Sequence, residues 1–249
     1  MTVTPMISVV IPARNDAAAL GRTLDHLVTD VERSTPMEII VAAAGDPDGT
    51  RAAVGDRARL VWPSGSTRAE LMNAGAAVAS GDVFLFLHAD SFPPPAAFTL
   101  IAAALADPRV VGGAFEHRFL EPVWSLRSIS WINRMRYRCT RNYYGDQGQF
   151  VRADVFRAIG GFRDLRLMED LELSQRLKRR GRLALIRAPL VTSGRRFLTR
   201  GPWRTLSFIV WLLVLHTLRL DTQRYADGWR GPADRTPGSR WARRPDEAV

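Results

Sequence analysis

Short apolar runs alternate, over the first 110 positions, with segments whose apolar residues recur every three or four places. Residues 7–11 (ISVVI), 38–42 (EIIVA), 60–61 and 83–87 (VFLFL) are short, mostly apolar runs. Such runs predict strands buried on both faces, as in a parallel sheet. Between them, Asp16 is placed to cap a helix running through Leu20, Leu24, Leu27 and Val31. Thr67 and Glu70 form a capping-box pattern ahead of Leu71, Ala74 and Val78. A third helix follows Pro93, Pro94 and Pro95, through Phe98, Ile101 and Leu105. Residues 45–49 (GDPDG) read as a turn. The alternation predicts an α/β fold: a doubly wound, mostly parallel sheet with helices on both faces. Ligands then sit beyond the carboxyl ends of the strands, after Ile11, Ala42 and Leu87.

The second half is less regular. Residues 110–119 read as a strand interrupted at Gly112 and Gly113, and 124–138 as a basic helix. A short strand is predicted at 149–151, a helical turn at 154–159, and a helix at 172–180 stopped by Gly181. Residues 205–217 (TLSFIVWLLVLHT) form an apolar helical segment bracketed by Arg204 and Arg219. A span needs about 20 apolar residues, so this one is expected to be buried or to lie in a membrane interface. The expected organisation is one unit over 1–200, with halves at 1–110 and 111–200. An apolar helix over 201–222 and a loose basic tail over 223–249 complete it.

Composition changes this picture little. At 249 residues and 46% hydrophobic, the chain can bury one sizeable core. The formal net charge is +10, and Lys178 is the only lysine, so nearly all the positive charge is guanidinium. Guanidinium grips phosphate in a two-pronged fork. Nucleic acid, an anionic membrane or a coding bias would account for the excess equally well. One cysteine, Cys139, excludes an internal disulfide. The N-terminus shows no secretory pattern, which sets the expectation of a cytoplasmic protein.

Four clusters could carry chemistry. Asp90, within Leu87-His88-Ala89-Asp90, follows the most apolar strand. A carboxylate there could hold Mg2+ or Mn2+ against a diphosphate, or cap the next helix. Glu169, Asp170 and Glu172 could supply a general base or simply complement a helix dipole. The glycine-flanked residues Asp146 and Gln147 could approach a ligand closely or form an ordinary turn. Arg195, Arg196 and Arg200 could clamp a diphosphate or be solvated surface charge. The P-loop and Gly-x-Gly-x-x-Gly patterns, a nucleophile elbow and zinc-ligand spacing are all missing.

Taken in order, these segments resemble family 2 glycosyltransferases. Residues 7–15 (ISVVIPARN) resemble the family's opening strand, and 45–50 (GDPDGT) its first nucleotide loop. Arg68-Ala69 with 72–76 (MNAGA) resembles the following helix, and 84–90 (FLFLHAD) the metal-binding strand end. Gly160-Gly161-Phe162 followed by Glu169-Asp170 resembles the acceptor loop and base motif. The nearest branch is a small bacterial one with Leu-His-Ala-Asp, described as radical-SAM or selenodomain associated. The resemblance implies a GT-A fold, a UDP- or GDP-type nucleotide-sugar donor, a divalent metal and inversion at the anomeric carbon. It makes Asp90 the metal ligand and Asp170 the base, with Glu169 beside it. Pro12, Arg14, Asn15, Asp46, Asp48, Arg68, Asn73, His88, Ala89 and Asp90 would line the donor pocket. Two positions depart from the pattern. Ala43 stands where an acid recognises the base, and His88 takes the first place of Asp-x-Asp, leaving one carboxylate for the metal. No processive-synthase motif is present, so single transfer is expected, to an unknown and conceivably lipid-linked acceptor. The competing readings are a nucleotidyltransferase, an impaired membrane-associated nucleotide-sugar binder and a nucleic-acid-binding module. The last leaves the strand-end acids unexplained, so no nucleic-acid partner is expected.

Overall fold

The computed structural model describes residues 4–29, 31 and 35–229. Its core is a single eight-stranded sheet ordered β3-β2-β1-β4-β7-β6-β8-β5. Strand β1 (Ile7–Arg14) lies between β2 (Met37–Ala44) and β4 (Val83–Phe86), both parallel to it, and β3 (Arg59–Val61) extends β2 in parallel. Pleating divides the apolar runs between two faces. Val9 and Ile11 pack with Leu20, Leu24 and Leu27 of helix α1 (Ala17–Thr29) and with Phe98 and Ile101 of α4 (Ala97–Ala104). Val10, Ile40, Phe84 and Phe86 pack on the other face, with Met72 and Ala76 of α3 (Arg68–Ala77). Helices therefore cover both faces, and a run buried on both sides has no polar alternation to show.

The second half completes the sheet in mixed sense. Strand β7 (Gln149–Arg152) pairs antiparallel with β4 and with β6 (Val110–Phe119). Strand β8 (Arg182–Thr192) runs parallel to β6, and the two-residue β5 (Ser91–Phe92) closes the edge against it. The Gly112-Gly113 interruption is a register shift inside β6, not a break. A Cβ on Gly113 would lie 2.2 Å from the Ala184 carbonyl oxygen, so glycine lets β6 approach β8.

The structure corrects several boundaries. Residues 45–49 open helix α2 (Pro47–Val54), with Asp46 as N-cap and Pro47 in the first turn, where its missing N–H costs nothing. Strand β8 was not anticipated. Arg187 and Pro189 interrupt its pattern, and the register shifts opposite them, where a strand tolerates proline. The basic cluster expected as a loop is helix α8 (Arg195–Arg200). The acidic helix, α7 (Glu169–Leu177), begins three residues earlier than expected, behind Met168 at φ 65°. The remaining helices are α5 (Trp124–Thr140), α6 (Ala153–Ala158), α9 (Pro202–Thr217) and α10 (Ala226–Trp229). The first part of the expected loose tail is ordered: the Gln223 side chain accepts from the Arg166 and Leu167 N–H groups and donates to the Leu167 carbonyl. Residues 230–249 lie outside the described residues. Among the described residues no helix is long and apolar enough to cross a membrane.

Candidate functional site

Arginine 68 joins the two halves of the sheet. The Thr67–Glu70 capping box fixes the start of α3 and hence the place of Arg68. Its guanidinium donates to Glu169, reaches His88 Nε2 at 2.8 Å, and lies 3.4 Å from Asp170 Oδ2. A guanidinium can only donate, so His88 Nε2 accepts and the ring proton sits on Nδ1. Burial pushes His88 well below the usual imidazole range, and Arg68 and Arg196 add to that, so the ring is neutral. Burial opposes charge on Arg68 as well, but Glu169 and Asp170 outweigh it and raise its pKa. Glu169 is buried, and burial pushes its carboxyl up against the pull of Arg68.

Asp170 is held on both oxygens. Oδ1 accepts from the Leu171 N–H at 2.7 Å, and Oδ2 from the Gly145 N–H at 2.7 Å. The Gly145 backbone comes this close because a Cβ there would sit 2.6 Å from His88 Nε2. Gln149 Nε2 donates to the Asp170 carbonyl at 3.0 Å and to that of Tyr143 at 2.8 Å, tying β7 to the start of α7. Met168, the residue before the acidic pair, holds a left-handed φ without being glycine, a strained conformation of the kind functional sites retain.

Asp90 follows β4, half-buried. It does not cap α4, whose N-cap is Ala96 with no side-chain bond. Burial pushes its carboxyl up, Arg196 pulls it down, Asp16 raises it and Arg195 lowers it. The Arg195 guanidinium in turn donates to Asp16. Arg196 also lies over the Trp229 ring at 4.9 Å, and Arg200 donates to the Gly228 carbonyl at 3.1 Å. Of the basic trio, Arg195 and Arg196 reach the field of Asp90, while Arg200 reaches α10. Among the described residues no cluster of three or more His, Cys, Asp or Glu side chains is assembled for a metal. A half-buried carboxylate at a strand end nevertheless fits a cation that draws its other ligands from a diphosphate and water.

The other expected donor-site residues lie in several different settings. Asn15, at φ 51°, accepts from the Asp46 N–H at 2.9 Å, which brings the ends of β1 and β2 together. Arg14 reaches the Ser66 carbonyl at 3.5 Å, and Pro12 lies past the last residue of β1 paired with β4. Asp46 is engaged as the α2 cap, accepting from Asp48 and Gly49 N–H groups, while Asp48 is exposed. Asn73 has both ends of its amide on Phe162: Nδ2 donates to the carbonyl at 2.8 Å and Oδ1 accepts from the N–H at 2.9 Å. It clasps α3 to the Gly160-Gly161 loop. Ala89 offers its carbonyl to Thr23 Oγ1 at 2.8 Å, and Ala43 is wholly buried in the α1-side core.

Gln147 is buried, donating to the Phe115 carbonyl and accepting from the Tyr144 N–H. Asp146 is partly exposed, 3.9 Å from His117 Nε2, and that nitrogen meets Thr192 Oγ1 at 2.7 Å. Sequence reasoning missed Gln149 and Gly145 as supports of Asp170, and His117 as a neighbour of Asp146. Only the glycine-flanked polar loop hinted at the first two.

The mostly parallel sheet with helices on both faces is that of a GT-A fold. Solved structures agree. A mannosyltransferase, PcManGT from Pyrobaculum calidifontis in complex with GDP-Man and Mn2+, superposes with a TM-score of 0.58 at 19% identity, over 77% of this chain and 58% of that one. S. aureus TarS 1-349 superposes with a TM-score of 0.61 at 15% identity, over 76% and 60%; TarS is also solved in complex with UDP-GlcNAc. The profile described as Glycosyl transferase family 2 matches residues 8–161, more than half of the chain. This chain belongs to glycosyl transferase family 2. A validoxylamine A glucosyltransferase of Streptomyces hygroscopicus subsp. jinggangensis is 34% identical over 111 residues, 42% of this chain. The chain spans only about a quarter of that relative, 26% of its length. Glu169 and Asp170 lie just beyond the matched residues.

Proposed function

We propose that this chain transfers a single sugar from a UDP- or GDP-type nucleotide sugar to a hydroxyl acceptor, with inversion. The observation that carries the reading is the bridge from Arg68 to His88 at the end of β4 and to Glu169 and Asp170 at the start of α7. It gathers the strand-end segment and a fixed carboxylate at one place, where a GT-A fold takes its donor. Asp170, oriented by Gly145 and Leu171, takes the proton of the acceptor hydroxyl. The acceptor oxygen bonds to the anomeric carbon, and the bond from that carbon to the diphosphate oxygen breaks. The nucleoside diphosphate leaves with the electron pair. Asp90 would hold a divalent ion, Mg2+ or Mn2+, which when bound offsets charge on the diphosphate. Arg195 and Arg196 add positive charge on the same side, and Arg68 keeps the base in place.

The Leu-His-Ala-Asp strand end supports placement in the small bacterial branch. A lipid-linked acceptor would locate the chemistry at the cytoplasmic face of a membrane. A second reading, donor binding without turnover, rests on His88, whose Nε2 is engaged by Arg68 instead of offering a second carboxylate. Release of nucleoside diphosphate from UDP-glucose, UDP-GlcNAc and GDP-mannose, with and without Mn2+, separates the two. Turnover of at least one donor that depends on Mn2+ and is lost in Asp90→Ala is expected. Donor binding with no release from any of them would favour the second reading.

A further inference from the structure

Helix α9 is apolar on a side that no other described residue covers. Its inner residues Leu212 and Leu215 are buried, Leu212 with Leu167 and Ala226. Its outer stripe is Trp203, Val210, Trp211, Val214 and then Leu218, all exposed, at spacings that keep them on one face. Trp211 is 49% exposed and Leu218 63%. A plain core helix would bury this stripe.

Helix α5 repeats the pattern beside it. Its N-terminus meets that of α9, with the Trp124 and Trp203 rings 5.9 Å apart and Leu126 and Ile129 packed near Leu206 and Phe197. Its outward residues are Trp124 at 69% and Trp131 at 62%, with Ile132 and Met135. The two helices thus expose four tryptophans on adjoining elements. Monomeric surfaces rarely gather apolar side chains this way, and tryptophan favours the boundary between water and lipid.

Charge selects the occupant. Between residues 122 and 145, and again between 194 and 220, the sequence contains no Asp or Glu. The first stretch carries Arg127, Arg134, Arg136, Arg138 and Arg141; the second carries Arg195, Arg196, Arg200, Arg204 and Arg219. Arg127, Arg204 and Arg219 are exposed on these elements or just past them. A second copy of the same face would set arginines against arginines, because a two-fold contact pairs a surface with itself. Arg134 and Arg138 pair with Glu116 and Arg195 with Asp16; anionic headgroups complement the exposed Arg127, Arg204 and Arg219, and arginine stems tolerate the apolar layer beneath. At 16 residues α9 is about 24 Å long, short of a hydrocarbon core of about 30 Å, so it lies on the bilayer.

We propose that α5 and α9 form a two-helix platform that docks on an anionic lipid surface, with the tryptophans at headgroup depth and the arginines on phosphates. The test is flotation of the full chain with phosphatidylcholine vesicles, with and without phosphatidylglycerol, at low and high salt. It reads binding alone, so it stands apart from sugar transfer. Binding should appear with phosphatidylglycerol, weaken in salt, and fall about a hundredfold when Arg127, Arg204 and Arg219 all become Gln. Trp131→Ser with Trp211→Ser should also weaken it, and these exposed positions should leave the circular dichroism spectrum and melting temperature unchanged. Failure to float with phosphatidylglycerol vesicles at low salt overturns the proposal. So does a self-associated species in sedimentation that Trp211→Ser dissociates while vesicle binding is unchanged, which would make a second copy the occupant.

Discussion

Arg68 shows how one side chain can organise this site. It holds Glu169, which is buried, and through His88 and Asp170 it fixes the strand end relative to α7. Removing one partner of a buried ion pair leaves an uncompensated charge, a loss of about 3–5 kcal/mol where both are buried. Arg68 is about a third exposed, so Arg68→Ala should fall at or below the low end of that range. Urea denaturation measures it, and adding Glu169→Gln should restore part of the loss because one buried charge fewer is then stranded, Asp170 keeping its bonds from Gly145 and Leu171. If the double variant is no more stable than Arg68→Ala, the contact is peripheral. Asp48 differs from Arg68 in being open to solvent, so its chemistry depends on what binds rather than on what the fold imposes.

At the scale of elements, Glu38 of β2 joins three segments. It accepts from Ser8 Oγ on β1 at 2.6 Å and from Ser80 N and Oγ, before β4, at 2.7 and 2.9 Å. Burial pushes its carboxyl up, but the bonds from Ser8, Ser80 and Gly81 outweigh this and hold it below the ordinary value of 4.5. Because the folded value is the lower one, the stabilisation is complete above about 4.5 and is lost as pH falls through the folded value. Glu38→Gln should cost about 1–3 kcal/mol at neutral pH, as charged-acceptor hydrogen bonds do. Thermal melts of the two proteins should converge as the solution is acidified below 4.5, and a constant gap would contradict this account.

The same scale shows what the chain made legible. Strands β1, β2 and β4 carry mostly apolar runs because both their faces are covered, and Thr67 with Glu70 marks the start of α3. Strand β8 was hidden because Arg187 and Pro189 interrupt it where the register shifts. Helix α2 was read as a turn because Gly45, Asp46 and Pro47 are equally suited to the cap of a short helix. Helix α9 was located, but periodicity alone left its outer face open between core and interface; the exposed stripe comes only from the packed structure.

For the whole molecule, the candidate residues were visible singly while their assembly was not. Asp90 and Asp170 stood out as acids after a strand and before a helix. Nothing in their spacing foretold that Arg68, about a hundred positions before Asp170, would touch it together with His88, or that the Gly145 backbone would hold its carboxylate. Antiparallel β7 and parallel β8 bring the second half of the chain against the first, and such non-local pairings leave no local pattern. Asn73 illustrates the converse: a position that the family resemblance assigns to the nucleotide has its amide on the Phe162 backbone.

Asp170 is the proposed base of a sugar transfer from a nucleotide diphosphate sugar. Asp170→Asn keeps the shape and, through its one oxygen, the bond from Gly145 at the expense of that from Leu171, while removing the proton acceptor. The measurement is kcat for nucleoside diphosphate release, on the donor that wild type turns over, at saturating donor and Mn2+. The account predicts a fall on the order of 10²–10⁴ in kcat with donor affinity retained. An Asp170→Asn protein that releases nucleoside diphosphate at the wild-type rate would contradict it.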